Sequence, residues 1–340
     1  MSSIEGLRGA AIVSRAGSAE LALADGPADA ETGTACTPQT RFQIASISKQ
    51  FAAVAVLLLA ESGTVLLDEP VDRWFPGSPA QWQRVTLHHL LTHTAGVGHW
   101  GEAPGFEPSK PMDPGERLEL VLQAPLVAEP GTRWRYSSPG FLLAGHIVRL
   151  ACGQPYARFV TERIVAPLGL TSTTVGGRTD GIARGYSGGQ PVATWDLSTM
   201  PGTGDICSTV GDLARFTTLV QSGALLTGDS LRAMRTVHTP VSGDQGTSDG
   251  WLTVEGYGYG CFVGRIAGCA AYVHSGDNPG YQSFAAWLPE PAASIVILAN
   301  DEAADLERLL RQLVPAALES AGQVVSAVSS SGVRPRRWDR

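Results

Sequence analysis

Ser46 and Lys49 are the two side chains of this sequence whose types and spacing suit covalent chemistry. They lie in Arg41-Phe-Gln-Ile-Ala-Ser46-Ile-Ser-Lys49-Gln-Phe51, directly before an apolar run from Phe51 to Ala60 that suits a helix buried on all sides. Gly63, just past Glu61-Ser62, marks where that helix stops. Three residues apart, hydroxyl and amine share a helix face. At a helix mouth a serine has free backbone N–H groups and the positive end of the dipole to stabilise an oxyanion, and a nearby amine can take its proton. Of 25 basic residues only Lys49 and Lys110 are lysines. An amine therefore stands where a guanidinium could not give up a proton. With 27 serines in the chain, a Ser three places before a given Lys arises by chance about one time in twelve, so the spacing needs partners.

A serine nucleophile requires a base and an oxyanion hole. The histidines are 88, 89, 93, 99, 146, 238 and 274. His89 and His93 stand at i, i+4, but without a Glu-x-x-His companion, and Leu-Leu-Thr-His-Thr-Ala-Gly reads as a helix end with a capping role, not a metal site. His146 falls in an apolar helix and reads as a satisfied core residue. His274 ends a strand and precedes Ser275-Gly276-Asp277-Asn-Pro-Gly280, where glycine lets backbone approach a ligand. Tyr136 lies in Pro130-Gly-Thr-Arg-Trp-Arg-Tyr136-Ser-Ser138-Pro-Gly140, a loop opening a helix. Residue type alone leaves it open between packing and catalysis.

These groups must be positioned by elements whose patterns are legible. Residues 8–24 alternate apolar and small side chains around Ala16-Gly17, a two-strand hairpin. Helical spacing of apolar residues covers 84–92, 115–124, 140–152, 156–166 and 211–222. The 97–114 stretch, with Trp100 and Phe106, is a loop long enough to form a substrate lip. Strand patterns return at 257–264, 270–275, 283–288 and 293–299, and 301–320 reads as a closing helix. The expected fold is α+β in three layers: an antiparallel sheet built by both chain ends and flanked by helices, with a mainly helical inserted lobe. The expected organisation is one unit over 1–325, its sheet lobe at about 1–64 and 250–325 and its helical lobe at about 65–249, with 326–340 a frayed tail. A cleft between lobes is a favoured small-molecule site.

Composition narrows the function. At 340 residues, 43% apolar, the chain has ample material for a core. A net charge of −7 and the lack of a basic run before the 334–340 tail argue against nucleic acid. The longest apolar run is too short to span a bilayer. No basic stretch followed by an apolar core opens the chain, so no signal peptide is expected and the cytoplasm is the default compartment. Five dispersed cysteines (36, 152, 207, 261, 269) suggest buried thiols in a reducing compartment, neither a disulfide frame nor a zinc site. No cofactor and no metal is expected.

Three separated segments together resemble the serine β-lactamase and penicillin-recognising superfamily, in its class C β-lactamase-like branch of D,D-peptidases, D-aminopeptidases, esterases and transacylases. They are Ser46-Ile-Ser-Lys49, Tyr136-Ser-Ser138 at a Tyr-x-Asn position, and His274-Ser-Gly276 at a Lys/His-x-Gly position. Leu90–Gly96, Pro130–Trp134, Ser208–Phe216 and Tyr257–Gly260 are similar too, so the resemblance runs from about residue 8 to 302. It implies Ser46 as the acylated nucleophile, with Lys49 and Tyr136 sharing the proton work. A free phenol titrates near pH ~10, so Tyr136 needs positive charge close by to act as a base. The implied oxyanion hole is the N–H of Ser46 and of Asp277, and His274 and Ser275 would orient the polar end of the substrate.

Two departures matter. Ser138 replaces the usual Asn with a shorter hydroxyl that lacks the amide's paired donor and acceptor. This tilts the reading from β-lactams toward esters or an unusual acyl donor. The strand pattern also begins by residue 8, without the long helix usual before the first strand, so one sheet face would be less covered. The expected function is a serine acyl-enzyme hydrolase or acyltransferase acting on a small ester or amide. A transacylase would differ only in an amine or alcohol acceptor replacing water. A D,D-peptidase or β-lactamase fits less well. A non-catalytic binder draws on Ser138 alone, against the presence of Ser46, Lys49 and Tyr136.

Overall fold

The computed structural model describes residues 4–102, 105, 107, 109–241 and 246–319. The chain opens with an antiparallel hairpin, β1 (Gly9–Arg15) and β2 (Ser18–Asp25). Short ladders follow: β3 (Pro27–Asp29) with β4 (Thr34–Ala35), then β5 (Phe42–Gln43) and β6 (Thr174–Val175). Next come β7 (Tyr186–Ser187) with β8 (Gln190–Pro191), and β9 (Ile206–Ser208), which pairs with both β5 and β6. The last part of the chain supplies β10 (Leu252–Tyr257), β11 (Phe262–Ile266), β12 (Cys269–Asn278), β13 (Tyr281–Leu288) and β14 (Ala293–Ala299). The main sheet has the order β10-β11-β12-β13-β14-β1-β2. Both ends of the sequence thus meet at the β14–β1 seam, where Gly9 pairs with Ala299 and Arg15 with Ala293.

Alternation explains the layering. In β1, Ala10 and Ile12 face one core while Ala11 and Val13 face the other; Val296 and Leu298 of β14 oppose Ile295 and Ile297 in the same way. The first core also holds helix α1 (Ser48–Glu61), whose Phe51 ring stacks on Phe216 at 3.6 Å between centroids. The inserted helices are α2 (Leu87–Leu91), α3 (Pro114–Gln123), α4 (Ser138–Cys152), α5 (Tyr156–Val160), α6 (Val210–Gln221) and α7 (Gly228–Arg235). The second core is closed by α8 (Leu306–Leu318), which buries Leu306, Leu309, Leu310, Leu313 and Val314. The result is the expected antiparallel sheet between helical layers. No helix among the described residues is long and apolar enough to cross a membrane.

Some local expectations differ from the structure. The 257–264 strand is two strands separated by a turn, with Gly258 N–H donating to Cys261 O and Gly260 at φ +71°. The 84–92 helix shrinks to α2, which starts after its cap Thr86, and Ala80–Arg84 forms a separate 3₁₀ turn. The expected helix at 156–166 continues past α5 as a π turn at Thr161–Val165. Cys36, Cys207 and Cys261 are buried free thiols, whereas Cys152 and Cys269 are half-buried. His146 is buried as expected but is not satisfied: neither ring nitrogen has a hydrogen-bond partner. Phe106 and the 326–340 tail lie outside the described residues.

Candidate active site

The nucleophile position is set by a 3₁₀ turn, Ala45–Ile47, that runs directly into α1. Ala45 has φ +46°, a left-handed conformation that costs a non-glycine residue about 1–3 kcal/mol and concentrates at functional sites. Ser46 follows it, 7% exposed. Lys49 is fully buried, and its Nζ lies 2.8 Å from Ser46 Oγ and donates to Thr203 O at 3.1 Å. The same nitrogen sits 4.9 Å from the centre of the Tyr136 ring and 5.9 Å from that of Phe141. Hydroxyl, amine and phenol ring, from segments nearly 90 positions apart, therefore converge at one point.

Tyr136 is held by its neighbours. Ser137 caps α4, its Oγ accepting from Gly140 N–H at 3.0 Å and donating to Gly98 O at 3.1 Å. The N–H of Ser137 donates to His93 Nδ1 at 3.1 Å, and that of Ser138 donates to His99 Nδ1 at 3.2 Å. Both rings must leave Nδ1 bare, and burial favours this. It holds His93 well below the ordinary histidine range and His99 down to about 4, with the Lys49 charge acting in the same direction. The His93 ring packs against Tyr136, Tyr257 and Phe141 at 4.4, 4.7 and 5.0 Å between centroids. His93 thus supports the phenol and also ends α2 as its sequence context suggests, with φ +58° just past the helix and its N–H donating to Leu90 O at 3.3 Å.

The third wall is the part of β12 beyond Val273. Strand β11 pairs with β12 only as far as Val273, so Ser275 to Asn278 keep β13 on one side and turn the other toward Ser46. Gly276 is required there: a Cβ on it would lie 2.6 Å from Ile44 O and 2.7 Å from Ser46 N. Ser283 Oγ, opposite Gly276, fixes the same approach by donating to Ile44 O at 2.8 Å.

A cleft of about 240 Å³ opens above these elements. Ser46, Tyr136, Ser138 and Asp277 line it, and Lys49 lies beneath its floor. His274 and Ser275, expected to face the substrate, are buried at 0% and 5% exposure, and Gly276 packs against the Ser46 turn. The His274 Nδ1–H donates to Ser275 O at 2.6 Å and its Nε2 accepts from the Tyr257 hydroxyl at 3.1 Å, which leaves the imidazole neutral. Burial, aided by Lys49, pushes its pKa down to about 3. Trp100, the expected lip residue, does line the cleft, joined by Trp195, Met200, Asn278 and Glu302, which no spacing in the sequence connects to Ser46. Beneath Thr203, Asp205 is buried with Oδ1 accepting from Gly202 N–H at 3.0 Å; burial pushes its carboxyl up to about 7. Among the described residues no group of three or more His, Cys, Asp or Glu side chains converges to hold a metal ion.

The arrangement suits acyl transfer: a hydroxyl, an amine within hydrogen-bond reach, an aromatic phenol over that amine, and the end of β12 alongside. Comparison with known proteins gives the same direction. The profile of the family described as Beta-lactamase matches residues 4–318. The chain is 36% identical to esterase EstB of Burkholderia gladioli over 53% of this chain and 50% of that protein. It is 28% identical to penicillin-binding protein 4* of Bacillus subtilis, over 77% of this chain and 61% of that protein. The chain therefore spans about half to three-fifths of the length of these relatives. Among solved structures, D-amino acid amidase from Ochrobactrum anthropi SV3, complexed with L-phenylalanine, superposes with a TM-score of 0.78 at 28% identity, covering 92% of this chain and 94% of the amidase.

Proposed function

The chain belongs to the beta-lactamase family, and from that membership we propose that it is a serine hydrolase of small esters or amides working through an acyl-enzyme on Ser46. The observation that carries this reading is the 2.8 Å contact between Lys49 Nζ and Ser46 Oγ at the floor of the cleft. Ser46 Oγ attacks the carbonyl carbon as its proton passes to the Lys49–Tyr136 pair. The bond to the alcohol or amine breaks, and that leaving group takes up the proton. Water then attacks the Ser46 ester, releasing the acid and restoring the hydroxyl. The oxyanion is received by the N–H groups of Ser46 and Asp277, brought close by the approach of Gly276 to Ser46 N.

The reading draws support from relatives that include an esterase and a D-amino acid amidase. Ser138 at the cleft wall, in place of a longer amide, favours ester and simple amide substrates over β-lactams. An amine or alcohol replacing water would make the same site an acyltransferase. The test is an alkyl fluorophosphonate with intact-mass readout. A stable adduct on the native chain that is absent from Ser46→Ala supports the reading; no adduct with fluorophosphonate or activated ester sinks it. Product analysis with and without added amines and alcohols separates hydrolysis from transfer.

A further inference from the structure

Two carboxylates share the cleft with the nucleophile. Asp277 follows Gly276, whose backbone packs against the Ser46 turn, and Glu302 lies beyond the end of β14. Glu302 is fixed in place: its Oε1 accepts from Gly280 N–H at 2.9 Å and its Oε2 from the Ser187 hydroxyl at 2.7 Å. Both bonds are donated to the carboxylate oxygens, one to each. Gly280 stands three residues after Asp277 in the β12–β13 turn, a span of at most about 10 Å along extended chain. Trp100 and Trp195 line the same cleft. Acidic and aromatic residues sharing one cleft form a combination that receives an organic cation. The position where the family resemblance predicts a group for the polar end of the substrate holds His274, sealed under the wall with both ring nitrogens hydrogen-bonded inside the protein. It offers no positive charge to a substrate carboxylate.

We propose that the ester or amide cleaved at Ser46 carries a cationic amine, received by Glu302 and Asp277 against Trp100 and Trp195. The inference rests on the acyl-enzyme reading. It sets this cleft apart from one built for substrates with a free carboxylate, and it makes Glu302 a specificity-determining residue.

Isosteric substrates that differ only in charge test it. On the acyl side, 4-nitrophenyl 6-(trimethylammonio)hexanoate is compared with 4-nitrophenyl 7,7-dimethyloctanoate and with mono-4-nitrophenyl pimelate. On the alcohol side, butyrylcholine is compared with 3,3-dimethylbutyl butyrate. In at least one pair the cation should have a kcat/KM about tenfold or more above its neutral partner, with the pimelate ester the slowest of its set. Glu302→Gln, which keeps a side-chain oxygen as acceptor, and Asp277→Asn should each lower the cation-to-neutral ratio several-fold while the thermal midpoint stays near that of the native chain. Equal rates within both pairs, or ratios unmoved in both variants, overturn the inference. If the fluorophosphonate adduct forms while charge is ignored, only the inference fails. If no adduct forms and no ester is cleaved, the acyl-enzyme reading fails first and takes the inference with it.

Discussion

His93 accepts the backbone N–H of Ser137 while its ring lies 4.4 Å from that of Tyr136. One side chain therefore sets both the path of the Tyr136 loop and the face on which the phenol rests. His93→Ala removes both. Misplacing a reacting group by about 1 Å costs on the order of a hundredfold in rate, so acylation by 4-nitrophenyl acetate should fall tenfold to a hundredfold. His93→Asn tolerates the φ of +58° at this position and should keep more of the thermal stability. Unchanged acylation in the alanine variant would remove His93 from the supporting set.

Tyr136→Phe keeps the ring against Lys49 and His93 but removes the hydroxyl. The fold should survive, and single-turnover acylation should fall about a hundredfold or more, as for loss of a proton-transfer group. Lys49→Arg should be inactive, because a guanidinium does not release its proton near neutral pH. Retained activity in the arginine variant would reduce Lys49 to a fixed charge.

Gly276→Ala adds a methyl group within 2.7 Å of the Ile44 carbonyl and the Ser46 amide. The strand must retreat from the nucleophile, widening the oxyanion hole. A loss of about a hundredfold in kcat/KM is expected, in the range for loss of an oxyanion donor, with the native far-UV spectrum kept. Full activity would place the oxyanion hole elsewhere.

Acid should unfold this protein early. His93, His99, His146 and His274 are all held below the ordinary 6.5, chiefly by burial: to about 4 for His99 and His146 and about 3 for His274. The unfolded chain binds a proton at each near pH 6.5 and the folded chain does not. Their contribution is therefore complete above pH 6.5 and is lost as the pH falls toward 4, at about 1.4 kcal/mol per pH unit for each group. Asp205 runs in the opposite sense. Its carboxyl, raised from 3.8 to about 7, favours the folded state at low pH and weakens it as the pH rises through that window. Four imidazoles outweigh one carboxyl, so denaturant midpoints should drop between pH 7 and 5. A flat profile would contradict four buried neutral rings. His146→Leu removes a ring with no polar partner, and should raise stability and flatten the profile.

What could be read from sequence was what carries a local physical signal. The run after Phe51 gave α1 because no polar face interrupts it, and Ser46 with Lys49 followed from its start. The hairpin 8–24 and the strands after 270 were legible through alternation. The 257–264 stretch misled because Tyr257-Gly-Tyr-Gly260 continues an aromatic strand pattern without the Asn or Asp that signals a tight turn. Helix α7 was missed because it is short, highly charged and buries only Met234. His93 and His99 could not be assigned as supports, since the N–H groups they accept lie 44 and 39 residues away. Trp195 and Glu302 reach the cleft only through tertiary packing, and no period or motif ties them to Ser46.

The seam between β1 and β14 carries a consequence for biosynthesis. Ser14 and Ser294 share a hydrogen bond at 2.9 Å across 280 positions of sequence, and β1 pairs β2 on its other side. On the ribosome the early hairpin must wait, one flank unpaired, until almost the whole chain has been translated. Until β14 arrives, that flank is an unpaired strand edge of the kind that templates pairing between chains.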